Sequence, residues 1–143
     1  MKTKSILSCL LISICINISF TIKAQAVNIL DSLALVDLYD STHGPIWHNH
    51  TNWLTGPVST WYGITLENNG VTKIDLRNNG LYDTILTSIG NLSNLSDLLL
   101  GYNYLDWIPA EIGNLSNLSS LDLSYNQLSS IPPGIGNLAN LSF

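Results

Sequence analysis

Three segments of this chain are near-copies of one another: VTKIDLRNNGL, LSDLLLGYNYL and LSSLDLSYNQL, starting at Val71, Leu95 and Leu118. A fourth copy opens at Leu141, so the offsets are 24, 23 and 23 residues. Each copy runs on into a variant of I-x-x-x-I-G-N-L. A unit this short cannot bury its own apolar face, so successive copies must stack into one continuous core. The product of such stacking is an extended surface rather than an enclosed pocket, which directs attention to binding before catalysis.

Within a copy the spacing assigns the elements. Leu98 and Leu100 are two apart and share one face of a strand, while Leu99 between them points the other way. The chain then turns back and closes its coil through Leu105, Ile108, Ile112 and Leu115. The matching inward sets are Ile74, Leu76, Leu81, Ile85, Ile89 and Leu92 before it, and Leu121, Leu123, Leu128, Ile131, Ile135 and Leu138 after it. Asn79, Asn103 and Asn126 recur at one place in this apolar series. A buried amide must find partners, so these three are expected to form a ladder to the backbone of their own and the adjacent coil. Pro109, Pro132 and Pro133 fall on the return segment, where a missing N–H costs little. Gly90, Gly113 and Gly136 precede Asn91, Asn114 and Asn137, which reads as a turn that needs a permissive backbone.

These motifs resemble the leucine-rich repeat family, over a stretch from about Ala34 to the end. The resemblance implies an α/β, mostly β solenoid. It would be a right-handed horseshoe with short parallel strands on its concave face and a helical N-terminal cap. The 24-residue first copy is similar to plant-type repeats; the 23-residue copies, with IPAEIGNL and IPPGIGNL, are similar to those of bacterial surface or secreted proteins. The first copy departs from the pattern at Leu86, where the others carry Pro109 and Pro132.

The flanks differ in composition. Lys2 and Lys4 followed by a largely apolar Ile6–Ile22 and by Ala24-Gln25-Ala26 read as a cleaved secretory signal peptide over residues 1–26. Cys9 and Cys15 both fall inside it, so the mature chain is expected to have no cysteine. That leaves out the cysteine pair of plant extracellular caps and favours the bacterial likeness. Residues 27–70 are expected to form the cap. Apolar residues at Ile29, Leu30, Leu33, Ala34, Val36 and Leu38, interspersed with Asp31, Asp37 and Asp40, predict one amphipathic helix over Asn28–Tyr39. Trp47, Trp53 and Trp61 follow, and large aromatics seal an open solenoid edge efficiently. The repeats occupy 71–143 as 71–94, 95–117, 118–140 and the start of a fourth at 141. Nothing in the sequence caps the far end, which reads as the beginning of a longer protein, or else as an open strand edge available for self-association.

Candidate chemistry is sparse. His43, His48 and His50 are the one cluster with the donors for Zn²⁺ or Cu²⁺, with Asp40 as a further ligand. Their spacing is that of no zinc module, and they are read as polar cap-loop residues, with no metal and no cofactor assigned. Asp75 and Asp122 occupy the same outward strand position two coils apart, on the order of 10 Å by strand spacing, with Leu99 between them. No cleft encloses them, and no nucleophile triad or phosphate loop is present, so the segment is expected to be non-catalytic. Asn49-His50-Thr51, Asn91-Leu92-Ser93, Asn94-Leu95-Ser96, Asn114-Leu115-Ser116, Asn117-Leu118-Ser119 and Asn140-Leu141-Ser142 match the N-glycosylation acceptor, most of them because GNLSNL is the repeat itself.

The surface expected to bind is the concave sheet, presenting Lys73, Asp75 and Arg77, then Asp97, Leu99 and Tyr102, then Asp122, Ser124 and Tyr125. Tyr102 and Tyr125 are equivalent in neighbouring coils and should form an aromatic strip. Three of the five basic residues lie in the leader, leaving two against ten acidic ones, a formal charge of −8. That excludes nucleic acid and anionic membrane surfaces as natural partners. The expected function is therefore an exported, secreted or cell-surface recognition module for a protein, peptide or glycan, with no membrane insertion after signal cleavage. Alternatives are the recognition arm of a larger secreted enzyme, the ectodomain of a receptor or sensor, and a structural adhesin.

Overall fold

The computed structural model describes residues 27–142. The leader assignment, both cysteines and Phe143 lie outside the described residues. Helix α1 (Ile29–Ser41) is followed by six short strands: β1 (Ile64–Glu67), β2 (Gly70–Asp75), β3 (Tyr82–Thr84), β4 (Asp97–Leu99), β5 (Tyr104–Trp107) and β6 (Ser120–Asp122). The main sheet has the order β1-β2-β4-β6. β1 and β2 form an antiparallel hairpin whose turn residues Asn68 and Asn69 both have positive φ, 49° and 66°, which a right-twisted two-residue turn requires and asparagine tolerates. β2, β4 and β6 are parallel, with Lys73, Asp97 and Ser120 in one row, Ile74, Leu98 and Leu121 in the next, and Asp75, Leu99 and Asp122 in the third. The repeat period is thus the strand-to-strand period.

The inward leucines of the first two coils are fully buried. The third coil departs from the expected pattern. Leu121, Leu123, Leu128 and Ile135 are only partly buried and Ile131 is 71% exposed, because no described residue stacks on that side. The position is inward by pattern but becomes core only when a neighbour covers it.

Gly90, Gly113 and Gly136 also differ from expectation. All three lie in 3-10 turns (Thr87–Asn91, Ala110–Asn114, Pro133–Asn137), and none has positive φ. At Gly90 and Gly113 glycine is needed for space. A Cβ on Gly90 would lie 2.6 Å from the Glu111 carbonyl oxygen, and one on Gly113 would strike the Gly134 backbone. Leu86 adopts φ −79°, ψ 161°, close to Pro109 at −73°, 154°; the return path is set by coil closure, not by proline.

A second, two-stranded parallel sheet pairs β3 with β5 on the return segment. The sequence pattern marks this stretch only as the return path that closes the coil. Leu81, Leu105 and the asparagines dominate its pattern, while the β-favouring Tyr82, Tyr104 and Trp107 occupy runs of three or four residues, too short to signal a strand by alternation.

The asparagine row holds the bends. Asn103 Oδ1 accepts from the backbone N–H of Asn79 (3.0 Å) and Leu81 (3.1 Å), and its Nδ2 donates to the carbonyls of Leu76 (2.8 Å) and Leu100 (2.9 Å). Asn126 accepts from Leu105 (3.0 Å) and donates to Leu100 and Leu123. Asn79 reaches the cap instead, accepting from Asn49 N–H (2.7 Å) and donating to the Asn49 carbonyl (2.9 Å). A second polar row, read in the sequence only as glycosylation acceptors, runs between the strands and the 3-10 turns. Asn117 donates to the Ser93 carbonyl (2.8 Å) and Asn140 to that of Ser116 (2.7 Å); Ser96, Ser119 and Ser142 donate through Oγ to Thr72, Ser96 and Ser119.

The cap is an aromatic plug. Tyr39, Trp47, Trp53 and Trp61 are buried and contact one another in series, with ring centroids 4.8 to 5.5 Å apart. Each indole N–H donates to a carbonyl: Trp47 to Thr42, Trp53 to Tyr62, Trp61 to Gly56. α1 packs through Ala34, Leu35, Leu38 and Tyr39. Its expected apolar face is only half right: Ile29, Leu30 and Leu33 are 72%, 51% and 55% exposed, whereas Asp31 is buried and its Oδ2 accepts from Val71 N–H at 2.8 Å. That bond ties the helix to the head of the first repeat.

The glycine spacing can be checked directly. Gly113→Ala should destabilise the protein by about 1–3 kcal/mol through forced separation of two coils. Gly136→Ala, whose Cβ would meet nothing within 4 Å, should stay within about 0.5 kcal/mol of wild type. Thermal melts of the two variants give the comparison. Asn103→Leu should also cost about 1–3 kcal/mol, and Asn126→Leu less, since its carbonyl oxygen serves one N–H rather than two; urea titration measures both.

Candidate functional site

The candidate site is the outer row of the parallel sheet and the bend beyond it. Lys73 and Asp97 are adjacent in register, as are Asp75, Leu99 and Asp122. The ladder continues past the strand ends: Asn78 N–H donates to Gly101, and Tyr102 N–H to Ser124. At that level Asn78, Tyr102 and Tyr125 all have left-handed backbones, φ 50°, 58° and 53°. Such a φ is unfavourable for tyrosine, and it is held there by the ladder bonds and by the asparagine that follows each one. The turn swings each tyrosine out while sending Asn103 and Asn126 in.

The two rings stack, with centroids 4.2 Å apart and planes 14° from parallel. They remain 55% and 71% exposed. Stacking restricts the rotamers open to both rings.

Electrostatics divides the site in two. On the first coil, Arg77 Nε and Nη2 grip Asp75 Oδ1 and Oδ2 at 2.8 and 2.7 Å, and Lys73 Nζ lies 3.8 Å from Oδ2. The bidentate hydrogen bond from Arg77, aided by the charges of Arg77 and Lys73, holds the Asp75 carboxyl below its ordinary value against a smaller opposing effect of burial. On the later coils Asp97 accepts from Ser96 Oγ (2.6 Å), and Asp122 accepts from Ser124 N–H (3.0 Å) and Oγ (2.6 Å). A carboxyl held ionised at Asp75 is the opposite of what a general acid needs.

The histidines do not converge. His43 stacks on Tyr82 at 3.9 Å, His48 Nδ1 lies 3.1 Å from the Asn78 carbonyl, and His50 Nδ1 lies 3.4 Å from that of Trp47. Among the described residues no group of three or more His, Cys, Asp or Glu side chains is arranged to hold a metal ion. No described helix is long and apolar enough to cross a membrane.

Each coil contributes one strand to the main sheet and leaves it at an asparagine bend, and the family described as Leucine rich repeat matches residues 69–128. This is a leucine-rich repeat protein. Its fold is similar to the BIR2 ectodomain of Arabidopsis thaliana (30% identity, TM-score 0.63, covering 78% of this chain and 63% of that one). It is also similar to the leucine-rich repeat ectodomain of the receptor kinase SOBIR1 of Arabidopsis thaliana (25%, 0.67, 83% and 66%) and to a chain of the Arabidopsis thaliana BIR3–SERK2 complex (27%, 0.63, 78% and 64%). The leucine-rich repeat chain spans less than two thirds of each of these relatives.

Because the folded Asp75 carboxyl titrates below its ordinary value near 3.8, its pairing adds stability above that value and loses it as pH falls through the lowered one. Arg77→Gln should move the Asp75 titration upward by NMR. The variant's melting temperature should fall below wild type at neutral pH and converge with it as pH drops below about 3.8. Equal titration of Asp75 in both proteins would contradict the assignment.

Proposed function

We propose that this leucine-rich repeat chain is an exported, non-catalytic recognition module that binds a protein or peptide through its concave parallel sheet. The observation that supports the reading most is the rigid, exposed Tyr102–Tyr125 stack beside Leu99, set next to one charge-paired coil and two acidic ones. Aromatic anchors flanked by charge fit the anatomy of recognition surfaces, where a few large rigid side chains carry the affinity and charge sets partner choice. Similarity to two ectodomains, one of them that of a receptor kinase, and to a chain of a two-protein complex agrees with a protein or peptide partner and with an extracellular location.

Lys73, Asp75, Arg77, Asp97, Leu99, Asp122 and Ser124 are assigned to the contact surface around the tyrosine anchor. The role of Arg77 is to keep Asp75 extended along the sheet, so that the first coil presents a nearly neutral pair while Asp97 and Asp122 stay free to meet donors from the partner.

Selection of binders from a displayed peptide library against the full chain tests this reading. Peptides that bind wild type should lose tenfold or more in affinity against Tyr102→Ser/Tyr125→Ser, while circular dichroism shows the double variant folded. Selected peptides that ignore both tyrosines, and also Asp97→Asn and Asp122→Asn, would place recognition elsewhere.

A further inference from the structure

The second sheet carries a feature that the concave reading does not use. Tyr82 and Tyr104 are paired in register across β3 and β5, and both are exposed, at 36% and 56%. With Asp83, Asp106 and Gln127 they line an open depression of about 550 Å³ on the side of the solenoid. The ladder between these strands skips one residue: Asp83 pairs with Leu105 and Thr84 with Trp107, so Asp106 is the extra residue of a bulge. A bulge turns its unpaired side chain away from the strand's alternation, and here it sets a carboxylate at the rim of the aromatic row.

The charges around this depression are unbalanced. Lys73 and Arg77 are the basic residues of the described chain, and both lie against Asp75 on the other sheet. Asp83 and Asp106 are exposed and have no salt bridge among the described residues. His43 stacks on one face of Tyr82; the exposed remainder of that ring and the Tyr104 ring, beside two unpaired carboxylates, match a guanidinium or ammonium group, which takes a ring face on one side and a carboxylate at its edge. Gln127 adds an amide able to bond a peptide backbone.

We propose that this lateral face is a docking site for a cationic peptide segment carrying arginine or lysine side chains, separate from the concave surface. Complementary charge identifies the occupant: a segment bringing two or more positive groups would be held between the tyrosines and the Asp83–Asp106 pair, with its backbone against Gln127.

Acetylated tri-arginine amide is a suitable probe, titrated into the full chain by calorimetry and by tryptophan fluorescence. Trp107 on β5 is 46% exposed whereas Trp47, Trp53 and Trp61 are buried, so it is the natural reporter. The expected result is saturable binding with a Trp107 signal, weakened about tenfold in Asp83→Asn/Asp106→Asn and in Tyr82→Ser/Tyr104→Ser. Asparagine at 83 keeps the positive φ of 77° accessible, so that variant should fold. Glu67→Gln/Glu111→Gln removes the same charge elsewhere and should leave affinity within about twofold. Equal weakening by both charge-removing pairs would reduce the effect to the overall negative charge and overturn the proposal. Absence of binding would overturn it too, as would chitotetraose binding at this face where tri-arginine does not, which would make it a glycan surface.

Discussion

The solenoid depends on how it handles backbone polarity at one bend. Where each coil leaves the parallel sheet, the chain turns inward, and its N–H and C=O groups would be buried without partners. Asn103 answers this with one amide that serves two N–H groups of the preceding coil and carbonyls of both coils. Unpaired, those groups would each cost about 1–3 kcal/mol. The left-handed residue before each asparagine is part of the same device: the side chain can point inward only because Asn78, Tyr102 and Tyr125 take a positive φ. The orientation of the tyrosines on the surface is therefore a consequence of how the core is satisfied.

The cap works by imitating a coil. Asn79 finds in Asn49 the backbone groups that Asn103 finds in the first coil, and His48 N–H donates to the Asn79 carbonyl as a ladder partner would. β1 supplies the missing strand in antiparallel sense, and Asp31 supplies an acceptor for Val71 at the strand's start. What the cap lacks in repeated leucines it replaces with the Tyr39–Trp47–Trp53–Trp61 cluster, whose large rings fill a wider gap per residue while each indole N–H stays paired.

The sequence made legible what recurs at a fixed period. The inward leucines, the register that aligns Asp75, Leu99 and Asp122, and the recurrence of Asn79, Asn103 and Asn126 follow from counting to 23 or 24. What escaped was anything decided by a neighbour. Ile131 is identical in pattern to Ile108, yet one is exposed and the other buried, because burial in a stacked fold belongs to the pair of coils. Gly90 and Gly113 look like turn glycines; that they are contact glycines depends on the next coil's carbonyl. The β3–β5 sheet exists because two short segments lie side by side, which neither segment signals alone. Asp31, set among polar residues of an amphipathic helix, gave no hint that a buried N–H at Val71 required it.

These neighbour effects also divide the chain's surface into two chemistries. The left-handed residue that ends each strand separates the main sheet from the lateral one within a few residues, so side chains close in sequence face different directions. Tyr102 belongs to the concave rim and Tyr104 to the lateral row, with the buried Asn103 between them. The described basic residues lie on the first side, where Arg77 and Lys73 offset Asp75. Asp83 and Asp106 on the second side lie beside aromatic rings with no salt bridge among the described residues. A repeat that had to place one asparagine inward has thus arranged two outward aromatic and acidic surfaces, of which only the concave one also carries basic side chains.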